Sequence, residues 1–423
     1  MATSYILRVL VLDGNENQAV ASVRSLSRAG HTVYVGSSGT WSKAGWSRFC
    51  AGTFRYPEPG DDIEAFVAAI GDETQRVKNT LILPMTEQTT LPLSLHRSVI
   101  TAAGGSLILP PHEVISRAFD KQYTVSLASS LGIAVPETKV LRDESAARKV
   151  APELPYPVVL KPTSSQEVSN DGKVMKTGAP LYAKDRETFI EAFIALRRRC
   201  SVVLVQEFVT GAGVGYFALL KDGELRSEFA HRRIRDVRPT GSGSSLRISI
   251  SVDSTLREAG LGLLRALKWH GPAMVEFRVR PDGTPVFLEV NGRFWNSLPL
   301  TVYAGADFPA LLASMVENGD IPVESNYSAN VRCRWLLGDV RHLVEVWRGA
   351  PRGYPGSFPG RMRTLIEVLR PVAGTYHDNF NLADPLPEVG DWLDFIMRRL
   401  PRMFTKSGSS RSQLHAQGSY SRT

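Results

Sequence analysis

Two hydrophobic periodicities take turns along the first hundred residues. Arg8 to Leu12 is a short apolar run closed by Asp13-Gly14 and reads as a buried strand. Gln18 to Ala29 has apolar residues at helical spacing and stops at Gly30, a residue suited to ending a helix. His31 to Gly36 has strand composition, Asp61 to Ile70 is an amphipathic helix, and Thr80 to Leu83 and Ser106 to Leu109 are strands. Strands alternating with helices predict a doubly wound parallel sheet. Further along, Val114 to Leu131 is helical and Pro155 to Pro162 a strand between prolines. Glu187 to Arg198 is a helix, and Val202 to Phe208 and Gly215 to Leu220 are strands. Asp222-Gly223 is a hairpin turn, and Leu256 to Leu267 is a helix. After Ile321 the chain is rich in Arg and Trp, with loops at 349–360. Residues 407–423, mostly Ser, Gly, Gln and Arg, are expected to be disordered.

The pattern excludes several classes. The run Ile6 to Leu12 is short for a signal peptide, and no stretch of 18 apolar residues exists to span a membrane. The first strand ends in Asp13-Gly14-Asn15-Glu16-Asn17 without GxGxxG, so the phosphate-cradling turn of a dinucleotide site is missing. Cys50, Cys200 and Cys333 are odd in number and widely spaced, which argues against zinc and against a disulfide framework; reduced thiols in a cytoplasmic protein are expected. The net charge of +8 is spread without a long basic block, and nothing beyond it suggests nucleic acid. Trp392 to Leu400 is amphipathic and ends among arginines. It reads either as a helix lying on anionic lipid or as one packed on its own domain, with Asp391 and Asp394 against the lipid reading.

The candidate chemistry sits between Ala273 and Asn291. Two alternating runs flank Asp282-Gly283, and a two-residue turn there sets Pro281 opposite Thr284, Arg280 opposite Pro285, Arg278 opposite Phe287 and Glu276 opposite Glu289. Glu276 and Glu289 then face each other in a non-hydrogen-bonded pair with Cα atoms about 4.5 Å apart. Like charges so placed repel, so they need a cation between them, a shared proton or solvent. Asn291 lies on the same face, two residues beyond Glu289, and Val275, Phe277, Val279 and Leu288 fall on the other. Two carboxylates and an amide oxygen are the hard ligands that magnesium takes beside phosphates. A solvated strand face with unrelated acids is the alternative.

These residues resemble the ATP-grasp superfamily, which places a metal-binding acid on one strand and Glu-x-Asn on the next. Glu276, Glu289 and Asn291 match that pattern, Arg293 matches an arginine that often follows it, and 287–298 is similar to predicted ATP-grasp carboxylate–amine ligases. Lys121 in Phe119-Asp120-Lys121 and Lys161 at a strand end match the two phosphate-contacting lysines. Gln206, Glu207, Phe208 and Val209 match the segment whose backbone reads the adenine edge. No acid stands in Gly211 to Gly215 for the ribose, which leaves Glu207. His231 to Arg235 and Gly241 to Ser245 are similar to the same ligase group. There Arg233 and Arg235 share a strand face and meet either an anionic substrate or solvent, and 241–245 is either a mobile cover or a plain connector. His231 beside them is a candidate for proton transfer, whereas Trp335 and Trp347 read as core or domain contacts. Thr163 to Glu167, the loop after Lys161, has few glycines for a phosphate-covering flap.

The resemblance implies an α/β architecture: a Rossmann-like pre-ATP-grasp domain over 1–115, a two-lobed α+β ATP-grasp domain over 116–318 with lobes 116–205 and 206–318, and an extension over 319–406. It implies ATP and one or two Mg2+ ions, with Mn2+ as a substitute. The implied activity joins a small-molecule carboxylate to an amine through an acyl phosphate, in a protein that is often a homodimer. Another ATP-grasp phosphoryl transfer and a non-catalytic nucleotide sensor are the alternatives.

Overall fold

The computed structural model describes residues 6–78, 80–163, 166–168 and 174–397. Ser164 and Ser165 of the loop after Lys161, and the segment 407–423, lie outside them. The N-terminal sheet is wholly parallel. Its five strands run in the order Gly52–Arg55, Thr32–Ser37, Arg8–Val11, Thr80–Leu83, Gly105–Ser106. Strand alternation sends Leu10, Leu12 and Ile82 into one core and Val9, Val11, Leu81 and Leu83 into another. The strand expected over Ser106 to Leu109 is shorter than its composition suggested. The Arg97 guanidinium bonds the carbonyls of Leu107, Leu109 and Pro110 at 2.8–2.9 Å, so those groups find their partner in a side chain and not in a ladder. The helix expected over Val114 to Leu131 is two helices, His112–Phe119 and Lys121–Ser130. The break is Asp120, whose carboxylate accepts from the amides of Gln122 and Tyr123 and caps the second helix.

Two further large sheets follow, antiparallel except for the last strand pair of the second, which is parallel. The smaller holds Leu181–Ala183, Val158–Pro162, Val203–Glu207 and Thr138–Leu141 in that order. It is backed by helix Arg186–Arg197, and its core of Leu160, Phe189, Phe193, Val203 and neighbours draws only on residues 141–205. The larger sheet runs Pro285–Asn291, Gly271–Val279, Ala212–Lys221, Glu224–Arg238, Ser242–Ile250, Arg332–Arg334, Thr375–His377. Its two faces extend the cores of the first domain. Tyr216, Val275 and Phe277 join Leu10 and Ile82, while Phe217, Phe229 and Trp295 join Val9 and Val11. The N-terminal sheet and the large sheet therefore form one packed block, and the small lobe is a separate body of side chains against it.

The C-terminal segment is welded on by buried charge. Its two short strands extend the large sheet. Arg24 meets Asp384 at 2.8 Å, Lys43 meets Asp391 at 2.8 Å, and Arg247 pairs with Asp378. Trp335, expected as a core or domain contact, is buried and donates its indole N–H to Asp391 at 2.6 Å. Cys50, Cys200 and Cys333 are free thiols, and no single helix among the described residues is long and apolar enough to cross a membrane.

Candidate active site

The hairpin that carries the two carboxylates closes differently from the two-residue turn expected of Asp282-Gly283. Its loop has three residues, Pro281-Asp282-Gly283, with Arg280 N donating to Thr284 O at 3.0 Å and Gly283 at φ +90°. That is a three-residue hairpin with glycine in the left-handed position. The change moves Pro285 opposite Val279 and Val286 opposite Arg278, one step from the expected register. A bulge then inserts Leu288 between Phe287 and Glu289, and the ladder resumes with Glu276 opposite Glu289. The expected facing of the carboxylates thus holds, although the path to it does not. Leu288, expected on the far face, lines the cleft instead.

The row of side chains across the sheet is shaped by two glycines. Glu289 faces Glu276, Glu276 faces Gly215, and Gly215 faces His231. One step along, Arg278 faces Gly213. A Cβ on Gly213 would lie 2.9 Å from Arg233 Cδ, so the missing side chain is what lets Arg233 cross the strand. Its Nη2 meets Glu276 Oε2 at 2.6 Å, with the two side chains 9% and 12% exposed. Gly213 is therefore what brings Arg233 to the acids, a signal that a search for an acid in Gly211 to Gly215 overlooks.

Lys121 is the first residue of the helix capped by Asp120, and its amide donates to Thr163 O at 3.1 Å, tying it to the end of the strand that bears Lys161. Its ammonium lies 3.2 Å from Glu289 Oε2. The Lys121 charge pulls Glu289 down to about 2, and Glu289 in turn raises Lys121. Burial and the nearby Lys121 push Lys161 down to about 8. Burial raises Glu276 despite the pull of Arg233. A cleft of about 260 Å³ joins Lys121, Lys161, Arg233, Glu276 and Glu289 to Gln206, Glu207, Phe208 and Val209.

Other expected residues stand elsewhere. Ile234 interrupts the ladder between Arg233 and Arg235, so the two do not share a face as simple alternation predicts. Arg235 turns from the cleft to Asp339 at 2.7 Å, where it helps hold the C-terminal segment. Arg293 bonds Phe294 O at 2.9 Å and Asn291 Oδ1 at 3.2 Å, so it and Asn291 flank the acids beyond the cleft lining. His231 is buried against the Phe217 ring, and burial drives its pKa well down, which leaves it neutral.

At the opposite end, Gln206 donates to Thr138 Oγ1 at 3.0 Å, and the amides of Glu207 and Phe208 are committed to Glu137 O and Pro157 O. Glu207 pairs with Arg280 at 2.6 Å on the rim. Two residues the sequence did not single out complete the mouth. Arg278 bonds Gly211 O at 2.9 Å and packs on Gly241, and Tyr182 donates to Thr240 O at 2.9 Å. Arg278 lies two residues from Glu276 on the same strand, so alternation alone points to it. For Tyr182 no local signal exists.

Glu276 and Glu289 supply facing carboxylates, and Asn291, two residues along the strand from Glu289, an amide oxygen that accepts from Arg293; these donor types suit a hard divalent cation. Among the described residues no cluster of three His, Cys, Asp or Glu offers a rival metal site.

No family model matches the sequence. It is 24% identical over 349 residues to the large chain of carbamoyl phosphate synthase from Mycobacterium tuberculosis, a match that takes in 78% of this chain. The chain spans under a third (29%) of the length of that relative. Among solved structures it is similar to a biotin carboxylase–β,γ-ATP complex from Campylobacter jejuni, with TM-score 0.62, 15% identity and coverage of 78% and 75% of the two chains. It is also similar to L-amino acid ligase from Bacillus licheniformis, with TM-score 0.56, 17% identity and coverage of 74% and 75%. The chain has the ATP-grasp fold.

Proposed function

We propose that the protein is an ATP-dependent carboxylate–amine ligase that forms an amide or peptide bond through an acyl phosphate and releases ADP and phosphate. What carries the reading is the convergence in one cleft of Lys121, Lys161, Arg233 and the facing pair Glu276 and Glu289. The two lysines and Arg233 set three cations around a pocket large enough for phosphates, which suits a reaction whose demands are positioning and charge stabilisation. Phe208, Val209, Tyr182 and Gln206 give the far end an apolar wall with a few polar edges, suited to a purine base. Glu207, paired on the rim with Arg280, is the acid that would meet a ribose in this reading.

Glu276, Glu289 and Asn291 would hold Mg2+, one ion or two, with Mn2+ able to substitute; the metal supplies charge neutralisation of the phosphates. Lys121 and Arg233, now paired to those acids, would exchange carboxylate for phosphate as the nucleotide enters. The substrate carboxylate attacks the γ-phosphorus and ADP leaves. The amine then attacks the acyl carbon, loses a proton and expels phosphate. Arg293, bonded to Asn291 beyond the acids, would hold the substrate carboxylate or the departing phosphate in this reading. Small-molecule acids and amines are the substrates of this reading, and a homodimer acting in the cytoplasm is part of it.

The test is ADP release from MgATP with pooled carboxylic acids and amines, comparing the native chain with Glu289→Gln. The expected result is substrate-dependent ADP and a new amide by mass spectrometry, both lost in the variant. A native protein that binds no MgATP would overturn the assignment. ADP formed with a phosphorylated acid and no amide would identify a kinase instead.

A further inference from the structure

The helix Leu386–Met397 packs inside out. Its buried side is Pro387, Glu388, Gly390 and Asp391. Asp391 is held by Lys43, Trp335 and Asn379, Glu388 accepts from the Trp392 indole, and Gly390 lets the helix approach Lys43 to within 3.0 Å of where a Cβ would stand. Asp394, half-buried, lines a polar cleft at the edge of this inner side with Lys43 and Arg341. The outer side is apolar: Leu386, Val389, Leu393, Ile396 and Met397, between 38% and 52% exposed, form one stripe at helical spacing. Among the described residues, thirteen of the 21 exposed large hydrophobic side chains lie between Trp347 and Met397. Five of these thirteen form the outer stripe of this one helix, and an apolar stripe on a helix whose inner side is polar marks a surface made to meet something.

Charge indicates what it meets. The 26 residues after Met397 contain Arg398, Arg399, Arg402, Lys406, Arg411 and Arg422 and no Asp or Glu, so they carry six of the eight net positive charges. Of the acids that argued against lipid in the sequence, Asp391 is buried on the inner side and Asp394 lines the polar cleft beside Lys43 and Arg341, apart from the apolar stripe. We infer that the outer face of this helix docks the protein on an anionic phospholipid surface, with the apolar stripe entering the headgroup boundary and the basic composition of the chain that follows selecting for negative lipid. An apolar stripe beside a basic, acid-free segment is the pattern of an interfacial helix. Lys and Arg near such a surface each strengthen binding about fivefold. A second copy of the chain would bring the same basic composition and no acidic partner for it. The inference is independent of the ligase reading.

The test is co-sedimentation of the full chain with phosphatidylcholine vesicles, with and without phosphatidylserine. Binding is expected only to the anionic vesicles, weakening as salt is raised. Leu393→Glu with Ile396→Glu should lower it more than tenfold while the unfolding temperature holds, because both side chains are already exposed. Arg398→Glu, Arg399→Glu and Arg402→Glu together should lower it at least a hundredfold. Absence of binding to anionic vesicles at low salt overturns the inference, as does binding indifferent to Leu393→Glu with Ile396→Glu. A native dimer that those two changes dissociate, with no vesicle binding, would assign the face to a second copy.

Discussion

Replacing Arg233 by Gln isolates the electrostatic core of the site. In the native chain Arg233 Nη2 lies 2.6 Å from Glu276 Oε2, and neither side chain is more than 12% exposed. Removing one partner of a buried pair costs about 3–5 kcal/mol. Here the loss is compounded because Glu276 stands directly opposite Glu289, whose own cation is Lys121. Glu276 can escape by taking a proton. Burial already holds its folded pKa above the unfolded value, and loss of Arg233 raises it further. Protons then bind the folded state more tightly than the unfolded one, so the stability of the variant recovers as pH falls through the raised folded pKa. Thermal unfolding of Arg233→Gln and native protein across pH 5 to 9 should show a deficit that is largest at the alkaline end and shrinks toward pH 5. Millimolar Mg2+ should restore part of it at pH 8, since a cation that binds only the folded pair stabilises it by mass action. A variant that unfolds at the native temperature at pH 8, or whose deficit is the same at pH 5 and pH 8, would refute the reasoning.

Three further outcomes follow from the same geometry. Lys161 titrates near pH 8 in the free protein, and only its charged form attracts phosphate, so ATP affinity measured by calorimetry should be steady below pH 7 and fall as pH rises through 8; Lys161→Met should abolish that dependence. Tyr354 packs edge-on against Tyr182 at 5.0 Å and Phe208 at 5.8 Å, and Arg352 reaches Glu187 and Glu191 at 3.1 Å, so the segment around them straps the C-terminal region to the small lobe. A Tyr182→Ala, Tyr354→Ala double-mutant cycle on ATP binding should give a coupling of about 0.5–1.5 kcal/mol, and Tyr354→Phe should retain native affinity. Asp391→Ala strands the buried Lys43 ammonium and should cost about 3–5 kcal/mol by calorimetric unfolding, whereas the exposed Asp282→Ala should cost well under 1 kcal/mol.

Several features were legible in the chain alone because their causes are local. The parallel N-terminal sheet follows from alternating periods, the capped helix of Lys121 from Asp120, and the facing of Glu276 and Glu289 from two alternating runs around a turn. Even there the match came from two compensating shifts, a wider loop and a bulge at Leu288, and neither is written in the alternation. Arg278 was readable from its spacing to Glu276. Other features required the folded molecule because they depend on neighbours distant in sequence. Arg235 was placed with Arg233 by period, but a bulge and Asp339, 104 residues away, turned it aside. Gly213 acquires its role only when Arg233 crosses it from the next strand, and Gly215 only when Phe217 and His231 pack against it. The polarity of helix Leu386–Met397 shows the divide most sharply. Its sequence fixes that one side is apolar and the other acidic, but which side faces inward was decided by Lys43, Trp335 and Asn379, buried groups whose unpaired charges and hydrogen bonds cost more to strand than five apolar side chains cost to expose.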